Sequence, residues 1–372
     1  MDDMDNPFKY GVPVTGADFV DRDAEIAELV RELRSGKSIV VYSNRRMGKT
    51  SYLAEVARRH RKDFIFVYVD VYGMTNQTHF LEEMAKRTIA TSYGKTEKMV
   101  EAVRELLGDL APRFVLSDRG TIGLEFARRE PNHGDLLELF DLPETISRAK
   151  NKRVVVMFDE FQEIAALDGV ALLKTMRSRF QLHKSAVYVF CGSKRHLLYS
   201  IFEEYEGAFY KFARPLELGP VPDDEFEKFL VDRFRSGGGR LDPKFARKIL
   251  SVSRGSPYYT QQIAHELFAI TETPSAEADV DLAVDMTLAH QSPAYAAGWD
   301  LVKSPLQRSF LLAIASEPTS IYGWEFVKRH GLRSPSHVQK IERSLREKGI
   351  VEKGRIVDPI FALWLTRMGE GT

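Results

Sequence analysis

An apolar run, SIVVY at 38–42, passes without a break into SNRRMGKTSYLAEVARR at 43–59. A β-rich run, a short polar loop and an amphipathic helix in immediate succession form a strand–loop–helix unit, which is stable only inside a larger sheet. The pattern at 43–50 reads S-x-x-x-x-G-K-T, with Ser43 standing where the usual phosphate-loop signature has its first glycine. Backbone N–H groups of Ser43, Asn44, Arg45, Arg46, Met47 and Gly48, and of Lys49, Thr50 and Ser51 in the first helical turn, are placed to cradle phosphate oxygens. Lys49 supplies a point charge for the β- and γ-phosphates. The Thr50 hydroxyl suits magnesium, which prefers oxygen ligands and keeps several waters. A G-K-T triplet also arises by chance at helix starts. Ser43 adopts positive φ less readily than glycine, which bears on the shape of the loop.

A second run, RVVVMFDEFQEI at 153–164, is an apolar strand ending in two carboxylates. Paired with a phosphate loop upstream, Asp159 is expected in the magnesium shell and Glu160 as the group that orients or deprotonates the attacking water. The bland alternative is a strand that ends in a solvated acidic turn. A third run, AVYVFCGSK, ends at Ser193, which is either a γ-phosphate sensor beside the loop strand or a simple turn residue. These motifs imply ATP and Mg2+ as ligands.

The 372 residues suggest two or three domains. Residues 1–220 alternate helical patterns with runs at Ser38–Tyr42, Phe64–Val71, Arg153–Phe158, Ala186–Cys191 and Arg214–Leu218, which predicts an α/β core with a parallel sheet. Within it, about 93–150 reads as an insertion carrying a β-hairpin at 113–127, turning at Asp118-Arg119-Gly120. Residues 221–292 read as an α-helical lid, and 297–372 as a helix set with a β-like end. Lys plus Arg balances Asp plus Glu, 53 against 53, so the chain is no general nucleic-acid coat and any such role sits in a local patch. A single cysteine, Cys191, rules out a disulfide framework or a cysteine zinc site within one chain. The start MDDMDNPFKYG is acidic and lacks an apolar core segment, and no apolar run reaches spanning length, so the expected location is cytoplasmic, with no membrane partner.

The chain resembles the archaeal/bacterial ATPase group within the STAND and AAA+ P-loop NTPases, which pair an ATPase core with a helical lid and a winged helix. The resemblance spans nearly the whole chain: FVDRDAEIAELVREL (19–33), RRMGKTSYL (45–53), FDEFQEI (158–164), FCGSKRHLL (190–198), GSPYYTQQIAHEL (255–267) and VDPIFALWL (357–365). It implies that Val20 and Arg22 pack near the adenine, and that Gly255-Ser256-Pro257 opens a lid helix over the nucleotide. It implies an arginine finger at Arg214, so Glu160, Lys49 and Arg214 are the catalytic candidates. Each has a plainer alternative: an ion pair at a helix start for Arg22, an N1 proline for Pro257, a solvated charge for Arg214. Asp21 replaces the glycine usual before Arg22, which with Ser43 bears on hydrolysis more than on binding.

Near the C-terminus, SPLQRSFLLAIASE, IYGWEFVKRHG and SPSHVQKIERSLREKG read as three helices, with Ser334 or Ser336 capping the third and Gly331 and Gly349 as stops. GIVEKGRIVDP alternates around Lys353-Gly354 like a β-wing, completing a winged helix. Between 328 and 355 nine Lys and Arg stand against three Glu. His337, Lys340, Arg343 and Arg346 are the candidate contacts to duplex DNA, with Glu342 and Glu347 interleaved as a repelling element. The alternative is a face that meets only protein. Two functions follow: a slow ATPase working as a nucleotide-dependent switch, or a nucleotide-regulated DNA-binding protein with little hydrolysis. The partner and the oligomeric state are not encoded in any motif.

Overall fold

The computed structural model describes residues 6–20, 22–93, 112–116, 122–126 and 133–370. The chain divides into two compact units. One comprises Arg22–Arg45 and Lys49–Leu218; the other comprises Met1–Asp21, the loop tip Arg46–Gly48 and Gly219–Thr372.

The first unit is built on β1 (Ile39–Tyr42), β2 (Ile65–Asp70), β5 (Val154–Asp159), β6 (Val187–Gly192) and β7 (Arg214–Glu217). They form one five-stranded sheet in the order β2-β5-β6-β1-β7, every pair parallel. Each residue of β1, β5 and β6 is buried. That is why these strands read as unbroken β-branched and aromatic runs: helices cover both faces, so no position alternates to water. α1 (Asp23–Arg34), α2 (Lys49–His60), α3 (Gln77–Tyr93), α4 (His133–Lys150), α5 (Ala165–Phe180) and α6 (Arg195–Phe202) supply the cover. The core is aromatic: Phe180 stacks on Tyr188 with centroids 3.8 Å apart, and Phe161 meets Phe190 at 4.6 Å. Within the 93–150 stretch, β3 (Pro112–Leu116) and β4 (Ile122–Phe126) pair antiparallel, while the turn at Asp118-Arg119-Gly120 lies outside the described residues. α4, in the same stretch, buries Leu139, Phe140 and Ile146 in the main core. Glu144 on α4 accepts N–H groups from Lys184, Ser185 and Ala186, at 3.2, 2.8 and 2.8 Å.

The second unit opens with α7 (Asp223–Ser236), α8 (Pro243–Ser253), α9 (Pro257–Ile270) and α10 (Glu277–Leu301). α8 stops because Arg254 and Gly255 both turn left-handed, φ 51° and 66°, before Pro257 starts α9 at its first position. Phe226, Phe234, Phe245, Ile263 and Leu267 form its core, and Phe8 and Val20 from the N-terminal segment are buried in the same cluster. α10 runs 25 residues with Pro293 inside it.

α11 (Pro305–Ser316), α12 (Trp324–Arg329), α13 (Pro335–Glu347) and the two-residue strands β8 (Val351–Glu352) and β9 (Arg355–Ile356) make the winged helix. Ser334 caps α13, its hydroxyl accepting from the His337 amide at 3.2 Å. Lys353 and Gly354 both have positive φ, 48° and 73°, as the two-residue hairpin turn requires. The chain does not finish on a β-like end. After the wing, α14 (Pro359–Glu370) is a helix, with the Asp358 carboxylate accepting from the amides of Ile360 and Phe361 at 3.0 and 2.9 Å. α14 lies along α10 on both sides of Pro293: Arg367 binds Asp285 at 2.5 Å, and Trp364 meets Tyr295 and Trp299 at 6.3 and 6.4 Å. Among the described residues no helix is long and apolar enough to cross a membrane.

Candidate functional site

β1 delivers the chain into the loop at its carboxyl end, and α2 begins at Lys49. The first turn of α2, the positive end of its dipole, therefore faces the loop, where an anion is favoured. Gly48 has φ 77°, a conformation that favours glycine, and Arg46 is left-handed at 67°. Ser43 is fully buried, its hydroxyl directed to the Asn44 carbonyl at 3.3 Å. Lys49 is 7% exposed and its ammonium donates to the Asn44 carbonyl at 3.2 Å, folded back over the loop that carries it.

β5 ends two strands from β1, with β6 between them. The Asp159 carboxylate accepts the Thr50 hydroxyl at 2.8 Å and the Tyr68 hydroxyl at 2.7 Å. Burial, followed by the neighbouring Asp159 charge, pushes the Tyr68 phenol far above its usual range, so it stays a neutral donor. Glu160 is left-handed, φ 49°, which turns its side chain back over the strand end. Its carboxylate accepts the Ser193 amide and hydroxyl at 3.2 and 2.8 Å and the Gln162 amide nitrogen at 2.5 Å. Ser193 follows Gly192, which pairs with Tyr42 at the head of the loop. It stands beside the loop strand and binds the Glu160 carboxylate directly. A Cβ at Gly192 would meet Gln162 Oε1 at 1.9 Å, so glycine there leaves the room that Gln162 fills.

Thr50 and Asp159 are the residues able to hold a metal. A hydroxyl and a carboxylate at 2.8 Å are hard oxygen donors of the kind magnesium takes. Two protein donors fit an ion that keeps several waters in its shell. Cys191 is fully buried, and burial raises its thiol well above the usual range, which leaves it unreactive.

Arg214 is not brought to the loop. It pairs with Ile39, whereas the loop leaves β1 after Tyr42, which pairs with Glu217. Three residues of parallel strand separate them, about 10 Å. The Arg214 guanidinium is taken by Glu32 and by Glu28 at 3.1 Å, at the opposite end of the sheet from the loop. Arg22 is buried and paired with Glu25 at 3.2 Å. Val20 sits in the core of the second unit. Pro257 faces Gly48, where a Cβ would stand 3.8 Å from its ring.

Lys340, Arg343 and Arg346 are exposed on α13. Glu342, counted among the acids of that helix, is buried instead: it accepts the Gly354 amide at 3.0 Å and the Tyr322 hydroxyl. It ties the wing turn to α13 and takes one negative charge off the basic face. Glu347 stays outside, 3.3 Å from Arg343. His337 is half-buried, and its Nδ1 is enclosed without a hydrogen-bond partner. Tyr68, Gln162, Tyr322 and Asp358 were not singled out by motif. Tyr68 lies one pleat before the end of β2, and Asp358 precedes the proline that starts α14.

A G-K-T loop at the carboxyl end of a parallel strand, with an aspartate two strands away bonded to its threonine, defines a P-loop nucleotide-binding protein. Residues 19–263 match the model of an ATPase domain found predominantly in Archaea, and residues 294–367 match a probable winged helix domain. The chain belongs to that ATPase family, with an α/β P-loop core, helices and a winged helix. Its fold is similar to that of the Walker-type ATPase of Pyrococcus abyssi, at TM-score 0.70 and 17% identity, covering 96% of this chain and 99% of that one. It is also similar to the ORC2 protein of Aeropyrum pernix in ADPNP–ADP complexes, at TM-score 0.53 and 15% identity, covering 94% and 95%. No match was found among the curated proteins.

Proposed function

We propose that the chain binds ATP with magnesium, hydrolyses it slowly, and works in the cytoplasm as a nucleotide-dependent switch of the STAND/AAA+ kind whose winged helix engages duplex DNA. The observation that carries this reading is the Thr50–Asp159 bond at 2.8 Å, with Glu160 one residue further on. A bound magnesium ion would supply charge neutralisation at the β- and γ-phosphates. Lys49 binds the same phosphates, and Glu160 orients or deprotonates the attacking water. Glu160 is engaged by Ser193 and Gln162, so it must exchange these donors for water before it can act as a base. That requirement supports slow basal turnover. Arg214 lies too far along its own strand to act in cis, so a finger role for it requires a neighbouring copy.

The inward turn of Glu342 supports the DNA contact, because Lys340, Arg343 and Arg346 then share a broad face without it. A second reading, a DNA-binding protein regulated by nucleotide with little hydrolysis, draws on the same engaged Glu160. ATP turnover measured with and without duplex DNA, for wild type and Glu160→Gln, separates the two. DNA-stimulated turnover lost in Glu160→Gln supports the switch. Salt-dependent DNA binding with no turnover in either protein supports the second reading.

A further inference from the structure

Arg46 is the loop residue whose side chain is committed elsewhere. Its guanidinium lies 4.9 Å from the ring centroids of both Tyr258 and Tyr259 and 3.0 Å from Asp358. Its backbone carbonyl accepts the Ser256 hydroxyl at 3.3 Å and the Tyr258 amide at 3.4 Å, so the start of α9 holds the left-handed loop tip. Asp358, which caps α14, also accepts the hydroxyls of Tyr259 and, at 3.1 Å, of Tyr295. Those two hydroxyl oxygens stand 2.8 Å apart. One carboxylate thus joins the phosphate loop, the first turn of α9, the middle of α10 and the start of α14. The Arg46 side chain is 35% exposed and that of Asp358 27%, so the pair is within reach of a competing anion.

We propose that Asp358 is a positioning residue of the phosphate loop: it holds the Arg46 guanidinium in reserve, and a bound triphosphate takes that guanidinium from it. This rests on the nucleotide-binding reading above. Arginine is suited to the exchange, because its planar fork bonds carboxylate and phosphate with the same geometry. The transfer leaves Asp358 with the two tyrosine hydroxyls and the two α14 amides. Occupancy of the loop tip is thereby registered at the start of α14, and the Asp358 carboxylate lowers nucleotide affinity until the exchange is made.

The test is a cycle of Arg46→Ala, Asp358→Asn and the double variant, with ATP and ADP titrated by calorimetry. Asparagine keeps an oxygen for the α14 amides and removes the competing charge. Asp358→Asn is expected to tighten ATP about two- to fivefold in the wild-type background, the scale of one partly exposed ion pair. It is expected to change nothing in the Arg46→Ala background. A merely structural Asp358 would weaken binding, or shift it equally in both backgrounds, and either result overturns the proposal. Amide exchange at Ile360 and Phe361 should slow when ATP is added to wild type, because the carboxylate keeps these amides without the competing guanidinium, and stay constant in Arg46→Ala. This second readout stands if Asp358→Asn does not fold, and the same ATP-dependent change in Arg46→Ala as in wild type, or no change in wild type, overturns the link. Absence of ATP binding by wild type would overturn the nucleotide reading itself, and the proposal with it.

Discussion

The carboxyl end of the sheet and the outer face of α13 are both charged, and they are organised in opposite ways. At the sheet end every named polar group is held by another: Thr50 and Tyr68 by Asp159, Glu160 by Ser193 and Gln162, Lys49 by a carbonyl of its own loop. On α13 the cations point to solvent, and the acid that would have opposed them is buried against the wing. The first arrangement keeps groups oriented before any ligand arrives, so a single substitution there is felt in full. The second is a diffuse field, in which each cation contributes a small and salt-screened share.

The sharpest way to break this comparison is Lys49→Ala. It removes the one buried cation of the loop, and ATP affinity should fall by about 2–5 kcal/mol, the typical cost of losing one partner of a buried charge pair. Calorimetry reads this directly, and unchanged affinity would remove the loop from nucleotide binding. Next in size, Glu160→Gln should retain ATP binding while turnover drops about 100-fold, the usual worth of a general base. Steady-state hydrolysis checks it, and wild-type turnover would reduce the carboxylate to a turn residue. On the diffuse side, replacing Lys340, Arg343 and Arg346 together with alanine should flatten the salt dependence of duplex DNA binding by about three units, with ATP affinity unchanged. Equal salt slopes in wild type and triple variant would make α13 a protein-facing surface.

The smallest effect concerns a carboxylate that is oriented but takes no part in ligand chemistry. Burial would raise Glu144, but the amides of Ala186, Ser185 and Lys184 outweigh it and hold its carboxyl below the usual range. A lowered carboxyl pKa contributes stability that is full above the unfolded value, near 4.5, and is lost as pH falls through the folded one. Glu144→Gln should therefore cost about 1–3 kcal/mol near neutrality, the scale of hydrogen bonds to a charged group. The gap from wild type should close as pH drops below about 4.5. Denaturant midpoints at several pH values measure it.

The sheet was legible in the sequence because its strands are buried on both faces, and β1, β5 and β6 announce themselves as continuous apolar runs. The winged helix was legible from its punctuation: Ser334 as a cap, Gly331 and Gly349 with positive φ at helix ends, Lys353-Gly354 at the turn. Side-chain direction was not legible. Glu342 reads as a repelling acid until α13 is rolled so that its carboxylate meets Gly354 and Tyr322. Arg214 resembles a finger by its place before a strand, but that place is the amino end, and only the register with Ile39 reveals it. Ser193 and Gln162 find Glu160 through a left-handed turn at a glutamate, which no propensity favours. The α14 start at Asp358-Pro359 carried an ordinary cap-and-proline signal, obscured by the alternation just before it.

The long α10 has a mechanical consequence. Its 25 residues span about 37 Å, and a proline inside such a rod would ordinarily make it a soft joint. Here α14 acts as a splint, fastened to the rod on either side of Pro293 by Arg367 and Trp364. A stiffened rod is a lever. A tilt of ten degrees at its first turn would sweep its far end through about 6 Å, roughly the pitch of one helical turn. Displacements of that size decide whether a helix sits in a groove or misses it, so a small rotation of the α7–α9 helices would be magnified mechanically at the winged helix.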